Sequence, residues 1–257
     1  LTNLTWTVDV NDVAQTFEIG SAYLLNDLEA NAHGIKELTS DCIHQLSPGN
    51  ESAIGNRALI AAGTGVGEAL LVHQGSGGYL PVPSEGGHSD FAPNNDREIA
   101  LLVHLRQTFK EHVSVERVVS GIGIRNIYGY LRDVEEMDEP ASLRERMQLE
   151  DPNAVISSCA ENGTSVLCTQ TMEMFSAAYG AEAGNLALKA LALGGVYLGG
   201  GIAPKILGTL SNGSFMRAFQ SKGRLSGLNE QIPVQVVMNE QCASIGAAAF
   251  AQSQISS

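Results

Sequence analysis

The 257 residues carry 15 Lys and Arg against 28 Asp and Glu, a net charge of −13 at pH 7, with 44% hydrophobic and 17% charged side chains. This balance supports a soluble globular core and argues against disorder. No basic cluster could follow a phosphate backbone, so nucleic acid is excluded as a partner, and the acidic balance disfavours an anionic membrane surface. Without an apolar run of about 18 residues or a charged-then-apolar start, the chain reads as cytoplasmic and not membrane-bound. Cys42, Cys159, Cys168 and Cys242 lack zinc-site spacing and read as free thiols in a reducing compartment.

In chain order, residues 1–9 resemble strand and turn and begin without Met, which predicts further sequence upstream. The apolar run 21–25 predicts a short strand ending at Asn26 and Asp27, followed by a helix over 28–38. Residues 57–73 predict two strands joined by the glycine-rich turn 63–67. Helical spacing follows over 96–111, and an apolar, strand-like run over 116–120. The charged stretch 131–154, with Pro140 and Pro152, reads as a surface insertion of short helices, the poorest place to seek chemistry. An Ala- and Leu-rich buried helix is predicted from Thr169 to Leu193, stopped by Gly194 and Gly195 before a strand at 196–198. A last strand over 234–238 and a terminal helix from Ser244 complete an α/β fold with a mixed sheet flanked by helices.

Several segments have residue types suited to chemistry. Gly63, Thr64 and Gly65 lack the lysine of a Walker loop; the turn either brings amides to phosphate oxygens or is an ordinary hairpin. Glu85 and His88 flank two glycines, so both side chains can converge on one polar ligand such as a vicinal diol, or simply decorate an exposed turn. Asn26 and Asp27 fit a helix N-cap as well as a catalytic carboxylate. Glu116 beside Arg117 would point to the opposite face of a strand, which weakens a salt-bridge reading. Gly199, Gly200 and Gly201 close a strand and either admit an adenine and ribose or allow close packing. A zinc reading around His88 fails on ligand count, so no metal site is assigned to side chains.

The strings LTNLTW, LLNDLEA, AAGTGVG, SEGGHSDFAP, HVSVERVVSGIGI, AGNLAL and GGVYLGGGIAP occur in this order over nearly the whole chain. Together they resemble the bacterial-type glucokinases of the actin-like (ribonuclease H-like) sugar kinase superfamily. The resemblance implies ATP-dependent phosphorylation of the glucose 6-hydroxyl with Mg2+, in a cytoplasmic homodimer. It assigns Asp27 as the catalytic base, Asn26, Glu85, His88 and Glu116 to the sugar, Gly63, Thr64 and Gly65 to phosphate, and Gly199, Gly200 and Gly201 to adenosine. It also implies that residues 1–26 are the end of a small N-terminal lobe and 27–257 a large lobe. The family's first phosphate loop, an Asp-x-Gly-Gly-Thr-Asn motif that helps place magnesium, has no counterpart in these residues. The cysteine-rich zinc motif of the related repressor-and-kinase family is absent too, which favours the glucokinase branch. A kinase for another hexose and a catalytically silent sugar-binding regulator are the rival readings.

Overall fold

The hairpin expected at 57–73 forms the centre of the sheet in the computed structural model, which describes residues 7–75 and 78–255. In chain order the strands are β1 (Ile43–Ser47), β2 (Arg57–Ala62), β3 (Val66–His73), β4 (Tyr79–Ser84), β5 (Val196–Gly199) and β6 (Val234–Val237). They lie in the order β1-β6-β5-β2-β3-β4. β2 runs parallel to β5 and β5 to β6, while the β1–β6, β2–β3 and β3–β4 pairs are antiparallel, so the sheet is mixed.

The helices are α1 (Val10–Thr16), α2 (Asp27–Ile35), α3 (Asp96–Thr108), α4 (Gly121–Asp133), α5 (Ala141–Leu149), α6 (Pro152–Glu161) and α7 (Val166–Ala190), then α8 (Leu207–Ser211), α9 (Ser214–Gln220), α10 (Ser226–Glu230) and α11 (Cys242–Ile255). Strand alternation divides the core into two layers. Ala58, Ile60 and Ala62 of β2 face the larger layer with α3, α4, α6, α7 and α9. Leu59, with Ala69 and Leu71 of β3, faces Leu28, Ala32 and Ile35 of α2 and Cys242 of α11. All four residues of β5 are buried, as expected of a parallel strand covered on both faces.

Three local expectations change. No strand forms at 21–25; the chain there is irregular, and among the described residues its backbone pairs with no strand. α7 ends at Leu191, in the left-handed region with φ 45°, rather than at Gly194, and the Leu191 amide donates to the carbonyls of Ala187 and Leu188. Residues 115–117 form a 3-10 turn instead of a strand. Of the strand and turn expected over 1–9, residues 1–6, which are LTNLTW, lie outside the described residues and residues 7–9 are irregular; α1, just after them, buries none of its side chains.

Candidate active site

The first residues of β3 are a hub on which four segments meet. Asn26 caps α2, its side-chain oxygen accepting from the Leu28 amide at 2.8 Å, and Asp27 Oδ1 accepts from the same amide at 2.9 Å. Leu28 is buried against Gly67, which fixes the start of α2 over β3. The N-cap reading of Asn26 is therefore correct, and both Asn26 and Asp27 remain exposed above the hub.

The second segment is the turn Gly86–His88. A side chain at Gly87 would strike the Val66 carbonyl and one at Gly86 the Glu68 carboxylate, so only glycines let this turn lie flat on β3. Glu85 and His88 project from it into solvent. The chain then bonds to the third segment: the Val115 amide donates to the Ser89 carbonyl at 2.9 Å, and Asp90 bridges to Ser114. This brings the half-buried Glu116 to the fourth segment, the 63–65 turn, where Glu116 Oε2 accepts from the Val66 amide at 3.3 Å and lies against Gly65. Arg117 turns away and stacks over Phe109, 4.5 Å from the ring centre. The expected sugar residues thus come from separate parts of the chain to the same edge of the sheet.

On the other side of the 63–65 turn lies a cavity of about 620 Å3, lined by Gly63, Thr64, Arg125, Asn153, Gly201 and Lys205 among others. The turn is closed by the Gly63 amide donating to the Gly65 carbonyl at 2.7 Å. Its Gly63 carbonyl accepts from the Gly121 amide, the first of α4, at 2.9 Å. The N-terminal end of α4 therefore reaches the cavity, an arrangement that suits anionic groups. Gly63, Thr64 and Gly201 line the cavity, whereas Gly65, Gly199 and Gly200 do not. Gly199 packs on Leu59, and Gly200 bends at φ 79° beneath the Ala62 carbonyl, so close packing is their structural role.

The charged stretch 131–154, expected to be the poorest place to seek chemistry, reaches the cavity at its end. Asp151 and Asn153, at the start of α6, line the cavity, and Asn153 packs beside Gly121 with its buried Oδ1 unpartnered. Asp151 caps α6 through the Asn153 amide at 3.1 Å, with Pro152 in the first turn. The Asp-Pro-Asn signal was visible as a helix start, but only the tertiary fold turns it toward the cavity. Arg125 and Lys205 were missed for the same reason.

Beneath the Gly86–His88 turn, Glu68 and Glu182 are both buried. Burial first, and then the neighbouring Glu182 carboxyl, push the Glu68 acid up to about 7. Among the described residues, no group of three or more His, Cys, Asp or Glu side chains could hold a metal ion. No helix among them is long and apolar enough to cross a membrane. All four cysteines are free.

Comparison with known proteins identifies the family. The sequence model of the family described as Glucokinase matches residues 1–254. A glucokinase from Synechocystis sp. is 44% identical over 263 residues, covering 98% of this chain and 74% of that protein. The crystal structure of a glucokinase from an Antarctic psychrotroph superposes with a TM-score of 0.84 at 33% identity, over 98% of this chain and 75% of that one. A ROK family glucokinase from Streptomyces griseus, solved with glucose and AMPPNP, shares the fold at a TM-score of 0.60 and 18% identity, over 95% of this chain and 72% of that one. By family match, sequence identity and superposition, the chain belongs to the glucokinase family.

Proposed function

We propose that the chain transfers the γ-phosphoryl group of ATP to the 6-hydroxyl of glucose, with the sugar on the β3 hub and the nucleotide in the adjoining cavity. The observation that carries this reading is the shared 63–65 turn: Gly65 touches Glu116 on one side, and Gly63 and Thr64 line the cavity on the other. Such a turn brings a sugar hydroxyl and a terminal phosphate together, and in phosphoryl transfer positioning and electrostatics supply most of the rate. Family membership supports the substrates, as do the glucose and AMPPNP bound by the S. griseus enzyme.

Asp27 orients O6 and accepts its proton late in the transfer. Asn26, Glu85, His88 and Glu116 hold the remaining hydroxyls, and a sugar that leaves these groups unpaired is penalised. The amide of Thr64 and the start of α4 receive phosphate oxygens, while Gly63, its own amide bonded to the Gly65 carbonyl, lines the same wall. Gly201, with Ile202 and Lys205, borders the nucleoside end, while Gly65, Gly199 and Gly200 shape the walls. Mg2+ would come with the ATP substrate, held by its phosphates rather than by a cluster of side chains, and would supply neutralisation of their charge. The same reading makes the enzyme a cytoplasmic homodimer, with residues 27–257 as its large lobe.

The test is Asp27→Ala in the full-length enzyme. Turnover is expected to fall by about 10²- to 10⁴-fold while calorimetric glucose affinity changes little. Near-normal turnover would overturn the assignment.

A further inference from the structure

Glu68 occupies an unusual place for a carboxylate: it points into the larger core layer from the middle of the β-sheet. It is 2% exposed, and its Oε1 has no hydrogen-bond partner. Its Oε2 fills the space where a side chain on Gly86 would stand. Its backbone carbonyl accepts from the Ser84 hydroxyl at 3.0 Å. Glu68 therefore holds the 84–88 turn twice, by main chain and by side chain, directly beneath the residues Glu85 and His88.

Across from it lies Glu182 of α7, only 6% exposed. Glu182 already has partners, accepting from Asn185 at 3.0 Å and Lys189 at 3.3 Å. Lys222 is tied next to them, donating to Asn185 Oδ1 at 2.8 Å and to the Ala181 carbonyl at 2.9 Å. Tyr179, also on α7, spends its hydroxyl on the Ile60 carbonyl at 3.2 Å. The nearby cations are thus bonded to Glu182 and its neighbours; Lys189 acts on Glu68 through its charge alone, and among the described residues Glu68 Oε1 has no hydrogen-bond partner, with the Glu182 carboxyl beside it. Two buried carboxylates in this relation cannot both ionise cheaply; one proton held between them removes the repulsion and satisfies the orphaned oxygen.

We propose that Glu68 is a positioning residue for the sugar site, and that a proton shared with Glu182 keeps its carboxyl under Gly86 so that Glu85 and His88 stay aligned for glucose. When that proton leaves, Glu68 is repelled from Glu182. The atoms free to yield are those of the turn above, since α7 and β3 are fixed in the core. Glucose binding then weakens as pH rises, while the nucleotide cavity, on the far side of the 63–65 turn, is undisturbed. The proposal rests on the reading of the 84–88 turn as part of the sugar site.

Calorimetric glucose binding between pH 6 and pH 9, on the full-length native enzyme and Glu68→Gln, tests it. The amide keeps the size and neutrality of the protonated acid. The native Kd is expected to rise about three- to tenfold across the series, with Glu68→Gln flat. Glu182→Gln, which removes the repelling charge, is expected to be flat as well and serves where Glu68→Gln does not fold. A flat native profile, or variants that follow the native curve, would overturn the proposal. His88→Ala separates the two layers of the argument. If it weakens glucose binding while Glu68→Gln tracks the native pH curve, the Glu68 role alone fails. If it binds glucose as the native protein does, the sugar reading of the turn fails and the proposal falls with it.

Discussion

At the scale of single residues, the chain departs most from the ordinary at Glu68. A carboxyl raised from its free value of 4.5 to about 7 by burial and by Glu182 takes up a proton on folding. The folded state therefore binds more protons than the unfolded one within that window. Its stabilising contribution is fully present below about 4.5 and is lost as pH rises through about 7. Glu68→Gln should lack this slope. The difference in unfolding free energy between variant and native, followed by denaturant titration from pH 5 to pH 8.5, is expected to move by roughly 2–3 kcal/mol in favour of the variant. A pH-independent difference would mean that Glu68 is ionised throughout. Asp27 and Asn26 show a different lesson of this scale, because a capping pair and a catalytic pair are the same residue types at the same place. Sequence alone left both readings of these two open, and the structure shows that Asn26 performs the cap while Asp27 stays exposed at the same helix start.

At the scale of elements, glycines in two turns look alike in the sequence and differ in what surrounds them. At Gly65 an added methyl group would meet the Glu116 carboxylate, the free end of a side chain that can swing aside. Gly65→Ala should therefore leave the melting temperature within about 3 °C of native yet displace Glu116 and weaken glucose binding. At Gly200 the obstacle is the Ala62 carbonyl, part of the central strand, and φ is 79°, where a β-carbon is strained. Gly200→Ala is expected to cost about 2 kcal/mol or more, seen as a clear drop in the unfolding midpoint. Equal effects of the two changes on stability would contradict these roles. The hairpin, α3 and the buried α7 were legible because period and glycine placement are local properties. The 21–25 and 116–120 runs misled because an apolar stretch becomes a strand only when a neighbour offers hydrogen bonds, and among the described residues neither run joins the sheet.

At the scale of the whole molecule, the 63–65 turn separates the proposed sugar side from the cavity, so changes on one side should be separable from changes on the other. Lys205→Ala removes an exposed cation at the cavity wall and is expected to raise the KM for ATP about three- to tenfold with glucose affinity unchanged, as measured by coupled kinetics and calorimetry. A matching loss of glucose affinity would argue against two adjoining sites. Composition, periodicity and the order of the motifs determined the α/β class, the mixed sheet, the resemblance to glucokinases and the candidate residues, since all of these are written in local pattern and residue type. What only the tertiary structure decided is which side chains share a space: that Glu116 meets Gly65, that Asn153 and Lys205 face Thr64 across one cavity, and that Glu68 and Glu182, 114 positions apart in the chain, lie together beneath the sugar turn. The physical reason is that proximity between distant residues comes from strand order and core packing, which no local period encodes.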